Sequence, residues 1–312
     1  MSSLQMFDNV FEAVHMLDPG NPMYECRDGN SMLQQCHQFK TIRMEDGTCC
    51  NLLPSLNLYR GENKRYRHCR PTLYRYPLSQ QHIWQIKECD FELFLLSSKD
   101  IQQAIHDGHR VNLVAIAQHY GFPTAMLDVT CDIVVAAYFA THRYDPHTDE
   151  MMSVDYGIGR IRQTVAIGDK VVVFGDQLFR RPGRQGGYGY TLLPNEDFSD
   201  MSSCVEFKQS AKVNKIFEGM LNGTGIFFPQ EQLTVVAELI KNAAAVTLEG
   251  IKRYAARSGI SSKRLMNLVK KNGIAVVEAQ LCHPDILWEP WNSFRVQQKS
   301  DEVRPCFFIC AK

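Results

Sequence analysis

One nine-residue segment constrains this chain more than any other. Ile133–Thr141, IVVAAYFAT, holds no charged side chain and mixes apolar bulk with alanine, a strong helix former. A helix that is apolar all round has no face to offer water and must be covered on every side. It is also far shorter than the roughly 20 residues a membrane span needs, and no other stretch approaches that length. The sequence therefore predicts a buried helix packed beneath the loop that precedes it, inside a folded core.

Around this helix the texture changes several times. Asp18-Pro19-Gly20-Asn21-Pro22, Asp28-Gly29 and Asp46-Gly47 are turn signals, so residues 1–50 read as an N-terminal extension with a short helix near Val10 to Leu17. From Leu56 a strand-like run leads into Arg60-Gly61. Phe91, Phe94 and Leu95 at i, i+3, i+4 spacing predict a helix over 88–106, and Val111 to Gln118 a second one, stopped by Gly121 and Pro123. The β-branched run Lys170 to Phe174 predicts a strand, and the glycine-rich stretch from Phe179 to Pro194 a loop feeding a short strand. Glu231 to Asn272 reads as helical, with strands expected at Ile274 to Leu281 and Cys306 to Cys310. The fold class that follows is α+β: a compact mixed or split β-sheet with packed helices, plus a C-terminal helical stretch. Its organisation would be an extension over 1–50, a core over 51–229, a basic helical stretch over 230–273 and strands returning to the core over 274–312.

Charge is the second constraint. The chain has 34 Lys and Arg against 34 Asp and Glu, a formal net charge of zero, which speaks against a general polyanion-binding coat. That zero conceals two basic blocks. Residues 59–76, YRGENKRYRHCRPTLYRY, carry six Lys or Arg against Glu62 alone, interleaved with Tyr59, Tyr66, Tyr74 and Tyr76. Arginine forks bind phosphate bidentately, and tyrosine faces stack on bases or nicotinamide-type rings. Residues 252–272, KRYAARSGISSKRLMNLVKKN, carry seven Lys or Arg and no acid. Apolar spacing on both sides of Ser258-Gly259 gives the outline of a helix-turn-helix, though the pattern favours a helical hairpin with a solvated basic face, whose charge would still attract nucleic-acid or nucleotide phosphates.

With 45% hydrophobic and 22% charged residues the chain is not wholly disordered. Eleven scattered cysteines, with no Cys-x-x-Cys pair and Cys/His contacts only by adjacency, predict reduced thiols and no metal. Together with an N-terminus that lacks a basic segment ahead of an apolar one, they point to a cytoplasmic protein.

Three segments carry a family resemblance. Tyr59-Arg60-Gly61 precedes Arg70-Pro71-Thr72-Leu73-Tyr74-Arg75. Gln118-His119-Tyr120-Gly121-Phe122-Pro123-Thr124 is followed by Leu127-Asp128-Val129-Thr130 and by Ala136-Ala137-Tyr138-Phe139-Ala140. Arg184-Gln185-Gly186-Gly187-Tyr188 comes third. In order and spacing, over roughly residues 55–195, these resemble the FRG domain family. The chain departs from the family at Ala125-Met126 and Val129, where an Arg and a Trp are common, so any charge that Arg supplies would have to come from elsewhere.

More distantly, the arrangement is similar to the core of ADP-ribosyltransferases, and that likeness implies NAD as substrate. It implies that Arg60 holds a phosphate of NAD, with Tyr59 and the backbone at Gly61 alongside, and that Thr130 and Tyr138 complete the cofactor-binding set. The catalytic candidates are His119 as general base, Asp128, and Gln185 where such transferases carry a glutamate. The transferred ADP-ribose would go to a protein or nucleic-acid acceptor. Two other readings stay open. One is a nucleic-acid binder or nuclease-like effector using the basic blocks, with Lys263, Arg264, Lys270 and Lys271 as contacts. The other is a non-catalytic interaction module in which Arg60 and Asp128 form a buried salt bridge.

Overall fold

The computed structural model describes residues 5–18, 40–43, 49–52, 57–107, 111–145, 148, 150–165, 170–173, 187–220 and 232–278. The fold is α+β, built on a seven-stranded mixed sheet. Its strands are β1 (Gln5–Phe7), β4 (Asn57–Glu62), β5 (Met126–Thr130), β8 (Ile158–Val165), β9 (Val171–Val173), β10 (Gly187–Thr191) and β11 (Ser203–Lys208), in the order β1-β11-β8-β4-β5-β10-β9. All neighbours are antiparallel except β1 and β11. Two small hairpins, β2 (Lys40–Arg43) with β3 (Cys49–Leu52) and β6 (His142–Asp145) with β7 (Glu150–Ser153), stand apart from it.

The segment read as an N-terminal extension contributes directly to this core. β1 extends the sheet, and α1 (Val10–Leu17), capped by the Asn9 side chain, buries Val10, Ala13 and Val14 in the main cluster. The predicted 88–106 helix is two helices: α2 (Leu78–Leu96), which begins directly after Pro77, and α3 (Lys99–His106). α4 (Leu113–His119) ends at Gly121, whose φ of 83° is left-handed and easily adopted only by glycine. α5 (Ile133–Thr141) is the buried helix expected, fully enclosed at Ala137, Tyr138 and Ala140.

β4 and α5 lie unusually close. A Cβ on Gly61 would overlap the carbonyl oxygen of Ala136 and crowd the backbone of Ala140. The glycine of the Tyr-Arg-Gly motif is thus set by strand–helix packing: its missing side chain admits a helix backbone, where the resemblance had suggested a ligand.

α6 (Ala211–Met220) follows the sheet, and then come α7 (Gln232–Asn242), α8 (Leu248–Ser258) and α9 (Ser262–Lys271). The stretch expected to be continuously helical is interrupted by β12 (Ala245–Thr247), which pairs in parallel with β13 (Ala275–Val277), away from the central sheet. The strand expected at Cys306 to Cys310 lies outside the described residues.

This C-terminal layer is fastened to α2 through buried polar side chains. Lys87 donates to the carbonyls of Lys241 and Ala243 at 2.6 and 2.8 Å, satisfying the C-terminal end of α7, where a cation also meets the favourable end of the helix dipole. Glu92 binds Arg253 at 2.6 Å, and Glu88 binds Arg257 at 2.9 Å. Asp90 accepts both the N–H of Thr247, at 3.1 Å, and its hydroxyl, at 2.5 Å, while that hydroxyl caps α8 by accepting from Gly250 N–H. Gly250 is required there, since a Cβ would overlap the Asp90 carboxylate.

Two stability measurements follow. Gly61→Ala must push α5 off the sheet and is expected to lower stability by about 1–3 kcal/mol or more in denaturant unfolding; an unchanged midpoint would contradict this packing. Burial raises Asp90 from 3.8 to about 6, against the hydrogen bonds from Thr247. Between those values the folded state holds a proton the unfolded state has released, so stability falls as pH rises through that window. Asp90→Asn removes this dependence. Relative to the variant, the wild type is expected to lose on the order of 3 kcal/mol between pH 4 and pH 7, read from urea midpoints.

Candidate functional site

β4 and β5 share one ladder pair, Tyr59↔Thr130, and then part. Beyond it β4 pairs fully with β8 and β5 pairs fully with β10. Side-chain alternation sends Leu58, Arg60 and Glu62 to one face of β4 and Tyr59 and Gly61 to the other, toward α5. At the parting, residues from both faces reach the same space. A cleft of about 420 Å³ opens there, in the size range of small-molecule sites.

Of the residues singled out in the sequence, Tyr59, Arg60, Gly61, His119, Asp128 and Thr130 all line this cleft. Tyr138 does not: it is fully buried in the core, its ring stacked on His142 at a centroid distance of 4.3 Å. Gln185 lies outside the described residues. Lys263, Arg264, Lys270 and Lys271 sit on α9 and none lines the cleft.

Arg60 spans the parted strands. Its Nη1 donates to the backbone carbonyl of Asp128 at 2.7 Å, so the expected Arg60–Asp128 salt bridge is instead a bond to the main chain. Its Nε is buried without an acceptor. The Asp128 carboxylate is exposed into the cleft and oriented by Gln118, whose Nε2 donates to Oδ1 at 2.5 Å. Gln118 is held in turn by the hydroxyl of Thr124, which also accepts from the N–H of Met126. His119, the last residue of α4, is buried at the cleft wall. Thr130 is turned toward the entry to α5: its hydroxyl accepts from Asp132 N–H at 3.0 Å, and the Asp132 carboxylate caps the helix at Val134 N–H. Burial raises Asp132 to about 6, and its role is structural.

Sequence reasoning passed over three lining residues. Glu62 is buried and ion-paired with Arg162 of β8 at 3.2 Å; its place two residues after Arg60 on a strand was the available signal. Arg75 closes the Arg70-to-Arg75 motif and donates twice to the carbonyl of Arg70. Gln118 was visible only as the residue before His119.

Two cations of the first basic block meet carboxylates from far along the chain. Arg65 grips the fully buried Glu206 of β11 together with Arg160, and Arg70 lies 3.5 Å from Asp197. Asp197 also accepts the N–H groups of Ser199 and Cys69 and contacts His68, which outweighs its burial and holds it down at about 2. The neighbouring Cys69 thiol is pushed up to about 11, chiefly by burial, and is therefore a poor nucleophile near neutral pH. Besides Tyr59, Gly61, Glu62 and Asn63, this block faces the cleft with Arg60, Arg75, Tyr66 and His68. Among the described residues no group of three His, Cys, Asp or Glu side chains is placed to hold a metal ion, and no helix is long and apolar enough to cross a membrane.

Against known proteins, the family model of the FRG domain matches residues 55–149. That span holds β4, both of its arginine motifs, α2 to α5 and β5, and so most of the cleft wall. No curated protein and no solved structure matches the chain.

Proposed function

Starting from an FRG domain with Tyr59, Arg60, Gly61, His119, Asp128 and Thr130 along one cleft, we propose that this cleft binds NAD or a related nucleotide and that ADP-ribose transfer to an acceptor is its chemistry. The reading rests on Arg60. A guanidinium that lines the cleft and is anchored at one end by a main-chain carbonyl is preorganised to take an anionic oxygen such as a diphosphate oxygen. Arg75 and His68 add positive or donor groups on the same side, and the Tyr66 ring offers a stacking face.

NAD supplies a ribose–nicotinamide bond that breaks with the electron pair leaving on nicotinamide. Asp128, steadied by Gln118, is the carboxylate that faces the positive charge developing on the ribose. His119 is the group at the wall to take the acceptor's proton. Asp128 thus occupies the role for which the sequence offers Gln185, a neutral amide.

Calorimetry of the whole chain with NAD, paired with release of labelled nicotinamide in the presence of cell extract, tests this reading. Arg60→Ala is expected to weaken NAD binding by roughly ten- to a hundredfold, the worth of a hydrogen bond to a charged group, while the chain still folds, its unfolding midpoint lowered only by the loss of the bond to the Asp128 carbonyl. Asp128→Asn should bind NAD within a few fold of wild type and release no nicotinamide. Absence of NAD binding by the wild type, or full affinity in Arg60→Ala, would overturn the assignment.

A further inference from the structure

The second basic block divides sharply in the folded protein. Its first three cations have acidic partners: Lys252 pairs with Glu249, Arg253 with Glu92, and Arg257 with Glu88 and Glu92. The remaining four, Lys263, Arg264, Lys270 and Lys271, all lie on α9, are exposed, and pair with no acid among the described residues.

At 100° per residue, these four and Asn267 fall within an arc of roughly 120°, along about 12 Å of helix. The opposite arc carries Leu265 and Val269, buried against Ile251, Tyr254, Ile86 and Val246. α9 therefore has no apolar face left for insertion into a lipid interface. The helix is held rigidly. Gly259, at φ 72°, closes α8 with an N–H bond to the carbonyl of Ala255 at 2.9 Å, and Tyr254 is fixed by Gln85 and His82. His82, on the neighbouring helix α2, is lowered below its ordinary range by burial and then by the charge of Arg264.

We propose that α9 is a docking surface for duplex DNA, with Lys263, Arg264, Lys270 and Lys271 on the phosphate backbone. The charge complementarity is to a dense, regular polyanion, and a helix of this breadth fits a major groove about 12 Å wide, whereas the deep, narrow groove of duplex RNA does not admit it. Arg253 and Arg257 serve the fold by clamping α8 to α2, and Lys252 pairs within α8 itself, which leaves the four on α9 for a partner.

The test is fluorescence anisotropy of the full-length chain with a labelled 20-base-pair duplex between 50 and 200 mM salt. Four phosphate contacts give a log–log slope of about −3.6, which is roughly a 150-fold loss of affinity across that range. Lys263→Gln with Lys270→Gln should halve the slope, and neutralising all four should abolish binding at an unchanged melting temperature. Replacing the three lysines by arginine should preserve it. Lys252→Gln, outside the stripe and already paired, should bind like wild type, as should Arg60→Ala in the cleft, whatever that variant does to NAD. The assignment is overturned if the duplex does not bind at 50 mM salt, if the fourfold variant binds it equally well, or if poly-glutamate or anionic vesicles bind more tightly.

Discussion

The single ladder pair between Tyr59 and Thr130 is the constraint around which the rest of this protein is arranged. Two strands that meet once and then part leave backbone groups and side chains of both faces in one space. A sheet tolerates such a gap only if something spans it. Here Arg60 does so by donating to the Asp128 carbonyl, while α5 lies along β4 closely enough to exclude any side chain at Gly61. The helix most apolar in the sequence and the glycine beside the key arginine are two halves of one packing contact. The cleft is the space that this contact and the divergence of β4 from β5 leave between them.

Much of this was legible in the sequence because it is local. The buried helix Ile133–Thr141 follows from an unbroken apolar run, and the turn at Gly121 follows from a glycine after a helix. The FRG motifs put six candidate residues in one cleft. What escaped was long-range. Glu206 pairs with Arg65 across 141 positions, so which cations of the first block have partners could not be read locally. Tyr138 resembled a ligand-facing aromatic because its neighbours were motif residues, but helical rotation turns its ring into the core against His142. β12 was hidden inside a helical pattern because three residues are too few to show a period of two.

The two basic blocks illustrate how folding redistributes charge. Neutrality of the whole chain conceals cations that organise buried carboxylates and cations that remain outside. The first kind clusters around α2, where Lys87, Glu88, Asp90 and Glu92 each meet a partner from the C-terminal layer. Buried ion pairs contribute little net stability, because desolvation offsets attraction, but losing one partner is costly. Their effect here is to fix how α7 and α8 sit on the core and, through α8, how the stripe on α9 is presented.

The order of the strands has a consequence for how the chain is made. β4 emerges early in synthesis, yet its full partner β8 comes about a hundred residues later, and the edge on which β1 waits is closed only by β11. The recognisable motif region is therefore complete before the sheet that supports it can exist. A nascent chain halted after residue 149 would hold β4 with one side bare, an invitation to pair with a second chain. The stretch that a family comparison recognises and the stretch that must fold as a unit are different lengths of polypeptide.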